Sequence, residues 1–232
     1  MTRRPFLISG ILGLGAVAMT LLLSFVGPRP AALPAGFITP VLAFEFAKSE
    51  AEVRQIIDPV GDVRPAMDRV NQLDFLYIAL YGGCLFTFAL TCDRLTGRRL
   101  FFGAAALAIG IMAADILENV QLLTITAHMD DGGFAGELTR LRLFTWLKWG
   151  GLAVYFALLW PYFARLGGPA RWLGAICFLP LLLGAVAFLS RGLMSELFAL
   201  SVGLMFLMLT AYSWWFRRPA VAQAVSLPAG TG

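Results

Sequence analysis

Residues 100 to 123 read LFFGAAALAIGIMAADILENVQLL, and this stretch decides the fold. A helix rises about 1.5 Å per residue, so the run is long enough to cross the roughly 30 Å hydrocarbon core of a bilayer. Five further runs of the same character flank it. They are 5–26 (PFLISGILGLGAVAMTLLLSFV), 73–91 (LDFLYIALYGGCLFTFALT), 143–163, 172–189 (WLGAICFLPLLLGAVAFL) and 193–216. The reading is an all-α, polytopic transmembrane bundle of six spans, forming a single integral membrane domain over 1–232. A short helical extracytoplasmic segment, 27–70, separates the first two spans.

Composition agrees with this map. The residues AVILMFWYC make up 59% of the chain and charged residues only 14%, where a soluble domain carries roughly 25% charge. A soluble enzyme, a disordered chain and a nucleic-acid module are poor fits. The net charge of +4 comes from scattered basic pairs, with no Lys/Arg stripe interleaved with aromatics, so membrane lipids and not nucleic acid are the expected partners. Cys84, Cys92 and Cys177 match neither a CxxC pair nor a zinc site. His128 is the only histidine, which excludes a His-based metal centre, and no metal or cofactor is expected. The first run follows Arg3 and Arg4. It exceeds the roughly 7–15 residues of a signal h-region and reads as an uncleaved span.

Arginine placement orients the map, since short cytoplasmic loops are rich in Lys/Arg. With the amino terminus inside, the inner segments hold Arg3, Arg4, Arg94, Arg98, Arg99, Arg165, Arg171, Arg217 and Arg218 against one acid, Asp93. The outer segments balance their basic residues with acids, so both termini are expected in the cytoplasm. Trp160, Trp172, Trp214 and Trp215 then fall at inner span ends, and Trp146 and Trp149 near an outer end, as aromatic belts would place them. Within 27–70, Thr39 and Pro40 are set to start a helix over PVLAFEFAK. The box Ser49-Glu50-Ala51-Glu52 is set to open a second helix that Asp58-Pro59 stops. Val53, Ile56 and Ile57 share one side of it, which packs on the membrane surface or on the outer span ends; a lid over a cavity is the alternative.

Ionisable groups inside spans cost roughly 2.5–3.5 kcal/mol each at a helix centre, so they face partners or water. Asp74, Asp115, Glu118, Lys148 and Glu196 all fall in the outer half of this map. Asp115, Glu118 and Asn119 stand at i, i+3 and i+4 on one helix face; Asp74, Tyr77 and Tyr81 stand at i, i+3 and i+7 on another. Two readings follow. In one, Lys148 pairs with Asp115 or Glu118 while Asn119 and Tyr77 complete a structural network. In the other, these groups wall a pocket for a small polar or lipid-headgroup ligand, and the surplus carboxylate charge calls for a proton, a cation or a basic ligand. Arg140 and Arg142, just before the fourth span, have two equal places: compensating at the rim or staying in the headgroup layer. Gly10, Gly13, Gly15, Gly82, Gly83, Gly103 and Gly110 suit close helix approach, and Pro180 should kink the fifth span.

At Phe44-Glu45-Phe46-Ala47, Leu73-Asp74-Phe75-Leu76-Tyr77, Asp115-Ile116-Leu117-Glu118-Asn119 and Lys148, the chain resembles a family of uncharacterised bacterial polytopic membrane proteins, over roughly residues 36 to 163. The resemblance implies the bacterial inner membrane as location. It also implies that Glu45, Asp74, Asp115, Glu118, Asn119 and Lys148 form one unit, with the outer segment beside it. It implies no activity. An envelope binding or structural protein, a small-solute or lipid transporter, and a membrane enzyme using Asp115 or Glu118 on a lipid headgroup all remain open, as does the oligomeric state. Reporter fusions placed after Arg98 and after Gly132 should report opposite compartments, the first cytoplasmic; the same compartment for both would sink the six-span map.

Overall fold

The computed structural model describes residues 4–29, 32–57, 62–130, 133–166 and 171–216. Arg3, Arg217, Arg218, Asp131, Gly132 and the helix stop at Asp58-Pro59 lie outside these residues. Among the described residues the chain forms α1 (Leu7–Val26), α2 (Pro40–Glu45), α3 (Glu50–Ile56), α4 (Val63–Thr96), α5 (Arg99–Ala127), α6 (Ala135–Phe163), α7 (Arg171–Ile176), α8 (Leu179–Ser190) and α9 (Leu193–Trp215). Six segments are long and apolar enough to cross a membrane, with α7 and α8 together making one of them. The short helices α2 and α3 stand between the first and second.

The spans pack as a ring in which α1, α4, α5, α6, the α7–α8 pair and α9 each contact the next, and α9 returns to α1. Small residues set the tight crossings. A methyl group on Gly82 would run into Met112, one on Gly13 into Thr210, and one on Gly151 into Ile111. By contrast Gly103 and Gly110 face open space. They do not mediate helix contact as their spacing suggested, because both lie on the outward side of α5. The fifth span is interrupted at Cys177 and Phe178, where Pro180 occupies the first turn of α8 and cannot donate to the preceding turn. The α4–α5 turn closes on Gly97 in the left-handed region (φ 66°), its N–H bonded to Asp93 O at 2.7 Å.

Two apolar cores result. One fills the ring and includes Leu85, Phe88, Phe101, Tyr155, Phe156, Phe163 and Leu209. At its far end Phe6 packs on Phe88 with ring centroids 4.6 Å apart, and the Tyr162 and Tyr212 hydroxyls bond at 2.9 Å. The second core lies at the opposite end. There Phe44, Phe46, Val53, Ile56 and Ile57 of the α2–α3 segment meet Met67, Leu122, Ile125, Met129 and Leu138. Val53, Ile56 and Ile57 are thus buried against helix ends and do not rest on a lipid surface. This cap exists because the helices run past their apolar windows: α4 begins at Val63 and not at Leu73, and α6 at Ala135 and not at Leu143. The extension of α4 alone is about 15 Å at the helical rise. Trp146 and Trp149 pack under the cap, with Trp146 4.9 Å from Phe188 and 5.3 Å from Phe46. The pair thus gains protein contacts near the outer end of its span, beyond what span-end placement alone implies.

Side chains from the α8–α9 turn and the first turn of α9 hold the cap down. Arg191 donates to both carboxylate oxygens of Glu52, at 2.6 and 2.7 Å, and to Phe46 O at 2.7 Å. Glu196 accepts from the Ile38 and Thr39 N–H groups and from the Thr39 hydroxyl, at 2.7 to 2.9 Å. Thr39 therefore does not cap α2 with its own side chain. The expected box at α3 opens as read, with Ser49 Oγ accepting from Glu52 N at 3.3 Å; the return bond alone moves by one residue, Glu52 Oε2 taking the Lys48 N–H at 2.8 Å. Gly36 (φ 84°) and Gly192 (φ 65°) let the two turns touch backbone to backbone; a Cβ on Gly36 would sit 3.1 Å from Leu193 N.

The Arg191 guanidinium beside Glu52, helped by the Lys48 N–H, holds its carboxyl below the ordinary value of 4.5 against the opposing effect of burial. A depressed carboxyl pKa adds stability above the unfolded-state value, and that stability is lost as pH falls through the folded-state value. Glu52→Gln should cost about 1–2 kcal/mol at pH 7, read by thermal unfolding in detergent micelles. The wild type should converge on the variant once the medium is more acidic than the carboxylate range.

Candidate functional site

The site lies where the two cores meet. Lys148 projects from α6 and is 6% exposed. Its Nζ stands 3.0 Å from Glu45 Oε1, 3.3 Å from Asp115 Oδ1 and in direct contact with Glu118 Oε2. One ammonium thus joins the cap helix α2 to α5, and both to α6. The carboxylates have further partners. Tyr81 donates to Asp115 Oδ2 at 2.5 Å. The Thr145 hydroxyl lies 2.5 Å from Glu118 Oε1 and 3.1 Å from Glu45 O. Trp149 Nε1 donates to Glu45 Oε2 at 2.9 Å. Such partners are required, because a buried charge short of them costs several kcal/mol.

Asp74 stands apart. Its carboxylate accepts from Asn119 Nδ2 at 2.7 Å, and among the described residues no Lys, Arg or His lies within ion-pair distance of it. Lys148 engages both carboxylates named as its candidate partners, Asp115 and Glu118, while Asn119 serves Asp74. Tyr77 and Tyr81 sit below Asp74 on α4, with ring centroids 5.1 Å apart. Glu196 binds at residues 38 and 39, and Arg140 donates to Gln121 at 2.9 Å and pairs with Glu137. Neither supplies a charge to the lysine cluster.

Asp74, Tyr77, Tyr81, Asp115, Asn119, Lys148 and Glu45 all border one cavity of about 480 Å³, within the roughly 300–1,000 Å³ range of small-molecule sites. Glu118 lies behind them, fully buried. The rest of the lining includes apolar side chains: Leu23 of α1, Val41 and Leu42 of the cap, Leu152 of α6, and Val202 and Phe206 of α9. The shape of α1 makes the space. Its buried face, Ser9, Gly10, Gly13, Ala16 and Met19, is held by the Ser9–Thr87 hydroxyl contact at 2.9 Å and the Trp214–Gly10 bond at 3.1 Å. Beyond Met19 that face ends, and Thr20 and Ser24 border the cavity while Leu21, Leu22 and Phe25 are exposed.

Four site residues are additional to the sequence reading. Thr145 and Trp149 share the i, i+3, i+4 spacing with Lys148, the pattern that singled out Asp115, Glu118 and Asn119. Asn71, one turn before Asp74, was hidden by starting the second span at Leu73. Thr20 on α1 gave no signal beyond its polarity.

Removing the lysine tests how the cluster is balanced. Lys148→Met should destabilise the chain by about 3–5 kcal/mol, the usual cost of stranding one side of a buried pair, measured by thermal unfolding in micelles. Adding Asp115→Asn and Glu118→Gln to that variant should recover part of the loss, because the stranded charge goes with them. No family model, curated protein or solved structure matches the chain.

Proposed function

We propose that this multi-pass membrane protein is a binding protein of the bacterial cytoplasmic membrane, a single domain with both termini inside, whose cavity takes a small amphipathic ligand. The observation that carries this reading is the cavity itself. It is lined by carboxylates, phenols and amides together with aliphatic side chains, the chemistry an amphipath requires. A purely structural network would satisfy its polar groups against each other and close over them, whereas here Asp74 and the two tyrosines border open space. Asp115 and Glu118 each engage the lysine and a hydroxyl, which favours holding over acid–base turnover.

The exposed end of α1 offers a test with little risk to folding. Native mass spectrometry of the full chain released from membranes into maltoside micelles should reveal retained small amphipaths. Thr20→Trp places an indole at the cavity edge and should lower their occupancy roughly tenfold, the effect of about 1.4 kcal/mol. Wild-type protein that retains nothing, or occupancy unchanged in Thr20→Trp, would overturn the binding reading in favour of a structural cluster.

A further inference from the structure

We propose that the ligand is an organic ammonium ion carried on an apolar body, with Asp74 as its counter-ion; this rests on the binding reading above. Three observations converge. The first is charge: four carboxyl groups, Glu45, Asp74, Asp115 and Glu118, share the site with one lysine. That lysine is spent on three of them, leaving Asp74 with an amide partner only. Asp74 is also the half-buried member of the four, the one a ligand entering the cavity would meet. An anionic headgroup would meet net repulsion here, and a neutral one would leave the surplus charge in place.

The second is the aromatic surface around that carboxylate. Tyr77 and Tyr81 are neighbours at 5.1 Å, and Phe206 continues the set 5.5 Å from Tyr81. All three line the cavity. Aromatic faces around a desolvated cation attract it through the ring quadrupole, and rings combined with a carboxylate suit ammonium recognition. The site already makes one such contact internally, with Lys148 Nζ 5.2 Å from the Trp149 ring centroid.

The third is a donor without an acceptor. Asn71 is 1% exposed and lines the cavity one helical turn from Asp74, yet its Nδ2 has no hydrogen-bond partner. A buried amide left so is destabilising, because it has given up its water without gaining an acceptor. An oxygen acceptor on the ligand, about one turn or 5 Å from the ammonium, would satisfy it. The ligand class is therefore an ammonium with an apolar chain and a nearby oxygen, whether the headgroup of a bilayer lipid or a free amphiphilic amine.

The test uses the full chain in maltoside micelles with four probes of equal chain length: dodecylamine, dodecyltrimethylammonium, dodecanol and dodecanoate. Binding is read by native mass spectrometry. At least one of the cationic probes should bind wild-type protein, dodecanol and dodecanoate should bind roughly tenfold more weakly or not at all, and Asp74→Asn should weaken the cation about tenfold while Asp74→Glu retains it. The preference of wild type for amine over alcohol needs no variant, so a poorly folded Asp74→Asn leaves the test intact. An ammonium-headed phospholipid competing with dodecylamine would name the bilayer as source, and absence of competition a free amine. Equal binding of dodecanol and dodecylamine, or a cation indifferent to Asp74→Asn in folded protein, would overturn the ammonium assignment and leave the pocket standing. Failure of every probe to bind wild type would overturn the pocket as well.

Discussion

The structure turns on Lys148. Its ammonium is the one group that three carboxylates share, and they come from two places otherwise held by different forces: Glu45 from the cap, Asp115 and Glu118 from α5. A lysine buried among aliphatic side chains would be untenable alone, and three buried acids more so. Together, with hydroxyl and indole donors filling the remaining lone pairs, each offsets the desolvation of the others. Helix packing alone would place α5 against α6. The cluster adds a directional constraint that fixes rotation about the helix axes and holds the carboxyl end of α2 at the top of the ring.

Two kinds of contact then divide the labour of the cap. Apolar burial of Val53, Ile56, Phe44 and Phe46 supplies most of its attachment. The charged ties at Arg191 and Glu196 decide where it sits. Arg191 belongs to the α8–α9 turn and Glu196 to the first turn of α9. The cap is therefore fastened at two charged points, Glu45 to Lys148 and Glu52 to Arg191, and its residues Val41, Leu42 and Glu45 border the cavity.

Much of this was legible in the residues. The six apolar runs gave the spans, and the i, i+3, i+4 pattern gave the α5 face that carries Asp115, Glu118 and Asn119. Other features were out of reach for physical reasons. Hydropathy marks where an apolar run ends, not where a helix ends, so runs starting at Leu73 and Leu143 leave out the first turns of α4 and α6, and Asn71 with them. Trp146 and Trp149 have the composition of an interfacial belt, and only tertiary packing under the cap distinguishes the two environments. Spacing likewise cannot tell Gly82, which meets Met112, from Gly110, which meets nothing; that depends on which side of the helix finds a neighbour. That Glu45 reaches Lys148 across more than a hundred residues is a long-range pairing no local pattern contains.

The contrast between Asp115 and Asp74 carries the functional meaning of the site. Both are aspartates on neighbouring helices bordering the same cavity, and the difference lies in their partners. Asp115 accepts from Tyr81 and faces the lysine, so its charge is used within the fold. Asp74 accepts from one amide and otherwise faces open volume between aromatic rings. Evenly distributed compensation would have made the cluster a structural element throughout. Concentrating the charge of Lys148 on three acids leaves the fourth as a defined negative locus, at the place where α1 stops packing and the cavity opens. Stability and recognition are thereby assigned to adjacent residues, and a ligand of opposite charge would complete at Asp74 the pairing that Lys148 provides for the other three.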